Sequence, residues 1–167
     1  MSNLRRTVCR STLPLLVLGV FSLPAAAQSM EIFGGYQFTH IDPGFNANGW
    51  NASFTGNFKH VLGITADFSG AYKNQTHVHT YTFGPVLAAR LPVVQPFVHL
   101  LFGGMTISDS FGGSTTGFAM LVGGGLDIGL RKGIGLRLVQ ADWMSLHFSG
   151  STDNKNARIS TGIVLKF

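Results

Sequence analysis

The last ten residues constrain this chain most. Ile159, Thr161, Ile163, Leu165 and Phe167 fall on one side of an extended strand, because strand side chains alternate with a period of two. Arg158, Ser160, Gly162, Val164 and Lys166 fall on the other. One face suits hydrocarbon, the other is small or charged, and the strand ends on an aromatic ring at its apolar edge. Such a strand must separate two unlike environments.

The beginning of the chain indicates the compartment. Arg5, Arg6 and Arg10 precede an apolar run from Leu13 to Leu23, and Ala25-Ala26-Ala27 supplies the small residues a signal peptidase needs. Residues 1–27 read as a secretory signal peptide cut after Ala27. The apolar run is shorter than the roughly 20 residues a spanning helix requires. Cys9 precedes that run and cannot be the acylated cysteine of a lipoprotein, and the mature chain 28–167 then has no cysteine for a disulfide or a thiolate metal site. Three of the twelve basic residues leave with the peptide while all seven acids stay, so the net charge falls from +5 to +2. No basic stripe remains to suggest nucleic acid.

The mature chain is rich in glycine and phenylalanine, poor in charge and without an apolar stretch of helical period, which makes it all-β. Ile32, Tyr36 and Phe38 oppose Gln37 and Thr39, and Trp50, Ala52, Phe54, Gly56 and Phe58 oppose Asn51, Ser53, Thr55 and Asn57. Leu62, Ile64, Ala66, Phe68 and Tyr72 oppose Gly63, Thr65, Asp67 and Ser69. Thr80, Thr82 and Gly84 alternate with Tyr81, Phe83 and Pro85, while Val98, Leu100 and Phe102 face lipid with His99, Leu101 and Gly103 inside. Met120, Val122, Leu126 and Ile128 oppose Gly123, Gly125 and Asp127. A soluble sandwich would alternate too. Segment lengths near ten residues, aromatic ends and the export signal together favour a bilayer.

From Leu136 and Leu138 outward and Arg137 inward, strict alternation would carry Gln140 and Asp142 into lipid, at a cost of several kcal/mol for a charge near the midplane. Either a β-bulge near Val139 returns both to the interior and turns Trp143 outward, or Asp142 sits above the membrane.

Eight strands result: 31–40, 49–58, 61–72, 78–89, 96–106, 117–130, 134–148 and 155–167. Short connections are predicted near Lys59, Leu91 and Lys132. Longer ones are predicted at Asp42 to Asn48, Lys73 to His77, Ile107 to Thr116 and Ser149 to Asn154. Alternating lengths fit an up-and-down antiparallel barrel with both termini in the periplasm, and closure leaves no sheet edge exposed to lipid.

The segments EIFGGYQF, PFVHLLFGG, FAMLVGGGLDIGL, GLRLVQADW and NARISTGIVLKF stand in an order that, across the whole mature chain, resembles the small outer-membrane β-barrel proteins of Gram-negative bacteria, the OmpA/OmpX-type eight-stranded barrel domain. The resemblance implies an all-β, eight-stranded antiparallel transmembrane barrel, with Ile163, Leu165 and Phe167 as the signal read by the barrel-assembly machinery. With nothing after Phe167, the peptidoglycan-binding domain of full-length OmpA proteins is not expected.

A lumen bounded by eight strands is just wide enough for side chains to fill. Its inward polar set is Glu31, Asp67, Asp127, Arg137, Gln140, Asp142, Arg158 and Lys166, with Arg158 and Lys166 finding partners among Asp67, Asp127 and Asp142. Such charges are expected to pair as a plug, because an isolated buried charge is costly; a narrow gated conduit is the alternative. Phe38, Trp50, Tyr72, Tyr81, Trp143 and Phe167 are candidates for aromatic girdles.

His147 and Ser149 share a strand face, a spacing similar to that of outer-membrane lipid A deacylases, in which the histidine activates the hydroxyl. Here the sequence is HFSGS, without that family's Asn and Ala after the serine and with no partner acid, so a rim histidine and a loop serine are the plainer reading. His77 and His79 share a face but fall short of the four ligands of a structural zinc site. Gly123-Gly124-Gly125 lies inside a strand with no helix after it, which suits wall curvature and not a phosphate loop.

The sequence therefore predicts a monomeric, non-enzymatic outer-membrane barrel without cofactor or metal, acting through its outer loops. Its partners would be outer-membrane lipid, lipopolysaccharide and the assembly machinery. A channel for small solutes or hydrophobic compounds and a lipid A-modifying enzyme remain as alternatives.

Overall fold

The computed structural model describes residues 29–58, 61–110, 112–148 and 151–167. The predicted signal peptide and Ser149 lie outside them. Eight strands follow one another: β1 (Ser29–Ile41), β2 (Phe45–Asn57), β3 (Leu62–Lys73), β4 (Thr76–Ala88), β5 (Val94–Asp109), β6 (Ser114–Arg131), β7 (Ile134–Phe148) and β8 (Ser151–Lys166). Each pairs antiparallel with the next, and β8 closes on β1 through pairs from Glu31↔Lys166 to His40↔Ala157. At the seam Phe167 donates its N–H to Met30 at 2.8 Å and Met30 donates back at 3.2 Å. The end of the barrel that carries residues 29 and 167 is called the terminal rim below, and the opposite end the distal rim.

The alternation in sequence becomes an inside and an outside. Ile32, Phe54, Ile64, Phe83, Val98 and Ile163 stand outward, each at least 42% exposed, on a wall that is apolar all the way round. Exposure on that scale is an aggregation hazard in water and is the normal state of a wall that faces hydrocarbon.

The β7 irregularity resolves the Asp142 question. Leu126 pairs with Val139 but Asp127 pairs with Arg137, and across the other edge Arg137 pairs with Gly162 while Gln140 pairs with Ser160. Leu138 and Val139 are therefore a bulge, both outward at 43% exposure. Gln140 and Asp142 return to the interior, almost fully buried, and Trp143 turns outward. The bulge leaves Arg137 with a carbonyl that Thr161 Oγ1 satisfies at 2.9 Å.

The predicted alternation of connection lengths is wrong. Toward the distal rim the connections are 42–44, 74–75, 110–113 and 149–150; toward the terminal rim they are 58–61, 89–93 and 132–133. The asparagines that suggested a loop at Asp42 to Asn48 are strand residues with side-chain work to do. Asn48 accepts a hydrogen bond from Tyr36 Oη at 2.7 Å, and Asn46 Oδ1 meets His40 Nδ1 at 2.5 Å. Ile107 and Thr106 likewise pair with Thr115 and Thr116, so the predicted Ile107 to Thr116 loop is mostly hairpin.

Glycines on the inner wall let neighbouring strands close in. A Cβ on Gly35 would lie 2.1 Å from the Thr161 carbonyl oxygen, and one on Gly123 would lie 2.1 Å from Asp142 Oδ1. The second contact shows why a small residue sits beside the charged interior.

Candidate functional site

The interior has two halves. Toward the distal rim it is an apolar core of Ile41, Val78, Leu101, Met105, Leu121 and Met144 with their neighbours, capped by Phe45, Ile107 and Phe148. Toward the terminal rim it is polar, with a small cleft partly open to solvent, lined by Glu31, Asn57, Gln95, Asp127 and Arg137 among others. A charged layer lies between these two halves.

Arg158 on β8 anchors that layer. It reaches across the lumen to β3, donating from Nη1 to Asp67 Oδ1 at 2.7 Å and to Ser69 Oγ at 3.3 Å, and it donates from Nε to Asp142 Oδ2 on β7 at 2.7 Å. Asp142 also accepts from His99 Nε2 at 2.7 Å and from Gln140 Nε2 at 2.9 Å. Asn51 Nδ2 donates to the second oxygen of Asp67 at 2.9 Å. All the side chains of this layer are over nine-tenths buried.

Arg137 joins the layer to the terminal half. Its Nε and Nη2 engage both oxygens of Asp127 at 2.8 and 3.1 Å, and Nη1 donates to Gln140 Oε1 at 2.6 Å. The guanidinium lies between the rings of Phe33 and Phe97, 4.4 and 4.2 Å from their centroids. A flat cation stacked on two ring faces while gripping a carboxylate bidentately uses geometry that only arginine has. Near the terminal rim, Glu31 accepts from Asn57 at 3.2 Å and faces Arg90 at 3.6 Å.

The structure places all eight residues of the predicted inward set on the interior and brings Asp67, Asp127, Arg137, Gln140, Asp142 and Arg158 into one network. Lys166 departs from expectation: it meets Gln95 and no aspartate, because Asp127 is already held by its cross-strand partner Arg137. Sequence reasoning missed His99 and Asn51 as members, though their inward parity was legible.

Phe38, Trp50, Tyr72, Tyr81 and Trp143 all face outward near the distal strand ends, 40–45% exposed. Trp50 Nε1 donates to Tyr72 Oη at 3.1 Å. Phe167 stands apart from them at the terminal rim, with Ile163 and Leu165 outward on the same strand. His147 is outward and bonded to Thr152 Oγ1 at 2.7 Å. His77 and His79 pack edge-on against Tyr72, with centroids 5.4 and 5.7 Å away. Among the described residues no three His, Cys, Asp or Glu side chains converge as a metal site.

A closed ring of eight up-and-down strands, apolar outside and charge-paired inside, matches solved membrane barrels over nearly its whole described length. The fold is that of the eight-stranded outer-membrane barrels. Neisserial surface protein A superposes with a TM-score of 0.63 at 14% identity, covering 87% of this chain and 100% of that one. The N-terminal β-barrel domain of Pseudomonas aeruginosa OprF gives 0.62 at 11% identity over 84% and 97%. The Yersinia pestis outer membrane protein Ail in a phospholipid bilayer nanodisc gives 0.51 at 16% identity over 84% and 99%. No family model matches the chain, and no curated protein matches it.

Proposed function

We propose that this chain is a monomeric, non-enzymatic protein of the outer membrane of a Gram-negative bacterium, whose barrel is sealed and whose contribution is its lasting presence and its distal surface. In this reading residues 1–27 direct export, and the outward residues Ile163, Leu165 and Phe167 are what the barrel-assembly machinery recognises. Outer-membrane lipid and lipopolysaccharide are the surroundings of the apolar wall. No cofactor is required.

The observation that carries the reading is the division of the interior. The polar space at the terminal rim ends at Arg158, and beyond it the lumen is filled by Leu101, Leu121, Met105 and Met144, each at most 1% exposed. An ion arriving from the terminal side meets neutralised charges and then a dry apolar core, where it would lose its hydration with no ligand to replace it. The distal connections are too short to be long adhesive loops, so any surface contact is made by the hairpin tips and the rim itself.

Planar-bilayer recording of the reconstituted barrel tests this. The expected trace shows no conductance steps above that of the protein-free bilayer. Discrete steps would contradict the sealed interior and restore the narrow-channel alternative.

A further inference from the structure

The two ends of the barrel differ in charge. Among the described residues the terminal rim holds Arg90, Arg131, Lys132 and Lys166 against Glu31, a side-chain charge of plus three; the distal rim holds Lys73 and Lys155 against Asp42, Asp109 and Asp153, a charge of minus one. Arg90 and Lys166 are committed to the mouth of the lumen, because Arg90 faces Glu31 at 3.6 Å and Lys166 Nζ donates to Gln95 Oε1. Arg131 and Lys132 are not. Both are exposed, and neither forms an ion pair with a described residue.

The fold fixes where these two cations stand. Arg131 ends β6, and Lys132 and Gly133 form the turn to β7, with Gly133 at a φ of 80°, the left-handed region that favours glycine. Lys166 donates its N–H to the Gly133 carbonyl at 2.8 Å, which pins the turn to the last strand. Across the hairpin Arg131 pairs with Ile134, Ile134 pairs with Leu165 of β8, and Leu165 pairs with Ile32 of β1. These three apolar partners form an outward row, 39–44% exposed. On the other flank Gly129 donates its N–H to the Val93 carbonyl at 2.9 Å, which brings the exposed Leu91 and Val93 alongside the exposed Leu130. Arg131 and Lys132 thus stand at the edge of an apolar wall that continues on both sides of them.

A phospholipid with net negative charge matches both parts of that surface. Its acyl chains need the wall, and its phosphate needs cations where the wall ends. A guanidinium grips phosphate oxygens through two parallel N–H bonds, and an ammonium beside it adds a point charge. A soluble anion would use the two charges and leave Leu130, Ile134 and Val93 uncovered. The surface is also continuous with the wall that faces hydrocarbon, so lipid is the neighbour already in place.

We infer that the β6–β7 turn is an anionic-phospholipid site, in which Arg131 and Lys132 hold the headgroup phosphate while Leu130, Ile134, Val93 and Leu165 lie along the acyl chains. The inference rests on the membrane reading above. It assigns the terminal rim to a leaflet that supplies anionic phospholipid.

The test uses the barrel folded in a phosphate-free maltoside detergent and titrated with phosphatidylglycerol or with phosphatidylcholine of the same acyl chains. Native mass spectrometry counts the lipid retained. Arg131→Gln and Lys132→Gln are each expected to lower phosphatidylglycerol retention by about fivefold, and the double variant by about twenty-five-fold, the scale set by one cation at an anionic lipid surface. Phosphatidylcholine retention is expected to stay the same in all three. Lys73→Gln with Lys155→Gln, at the distal rim, is expected to leave phosphatidylglycerol retention unchanged, and Lys132→Arg is expected to preserve it. Should the double variant not fold, the two single variants carry the comparison.

Unchanged phosphatidylglycerol retention in the Arg131 and Lys132 variants overturns the site. So does an equal loss in the distal pair, or a loss shared by phosphatidylcholine, since neither would reflect recognition of charge at this turn. Displacement of phosphatidylglycerol by inorganic phosphate at equal concentration also overturns it, because free phosphate would then be the ligand. Failure of the membrane reading is separately visible, since a chain that is not a membrane barrel shows no heat-modifiable migration on a gel before any lipid is counted.

Discussion

Replacing Arg158 with methionine is expected to destabilise the folded barrel by about 3–5 kcal/mol, the range for removing one partner of a buried ion pair. Urea titration in micelles or lipid vesicles, followed by tryptophan fluorescence, measures it. The size follows from what is left behind. Asp67 and Asp142 both lose the guanidinium between them, in a layer where Arg158 is 1% exposed and Asp142 2%. Asp142 keeps His99 and Gln140, and Asp67 keeps Asn51, but hydrogen bonds from these groups do not replace a full positive charge. Combining Arg158→Met with Asp67→Leu and Asp142→Leu is expected to recover most of the loss, because an apolar layer carries no desolvation penalty. Losses that simply add across the three substitutions would show that the layer is not an ion-pair network.

The second large effect concerns the outer wall. Phe83 is 66% exposed at the middle of β4, and Phe83→Arg is expected to cost about 2–4 kcal/mol in a bilayer, the range for a cation at the midplane. Leu130→Arg, at the terminal rim and 61% exposed, is expected to cost about 0–1 kcal/mol. On a soluble protein both changes would fall within about 0.5 kcal/mol of neutral. Unfolding free energies in vesicles of the two variants compare the sites, and equal small effects at both would contradict a hydrocarbon-facing wall.

The strands were legible because their signal is local. A period of two needs only neighbouring residues, and Ile159 to Phe167 carried it without interruption into β8. The bulge was legible as one of two ways to keep Asp142 from lipid, the other being a place above the membrane, and Leu138 with Val139 supplies it. The loops were misjudged because Asn46 and Asn48 are turn formers by habit, whereas here each hydrogen-bonds a ring on the neighbouring strand. No rule of composition distinguishes those uses.

The interior was half legible. Parity placed Arg158, Asp67, Asp127 and Asp142 inside, but partners depend on how far one strand is staggered against another. Arg158 and Asp67 are 91 residues apart and on strands that are not neighbours, so only the closed barrel brings them together. Lys166 shows the same limit from the other side, since its partner was decided by Arg137 having taken Asp127. Of the apolar distal core only Leu101 was placed inside, by its parity with His99. Leu121 and Met144 alternate with outward residues that are apolar or small. The row of Leu121 carries no polar residue nearby to mark the lumen, and that of Met144 follows Asp142, for which two places were open.

Trp50 and Trp143 are the only tryptophans in the chain, and both face outward, 44% and 43% exposed. Their fluorescence in vesicles therefore tests the central claim without any substitution. A membrane-spanning barrel with this wall predicts that lipids carrying brominated acyl chains quench both strongly, while iodide confined to the water quenches them weakly. Strong iodide quenching with no effect of brominated lipid would contradict it.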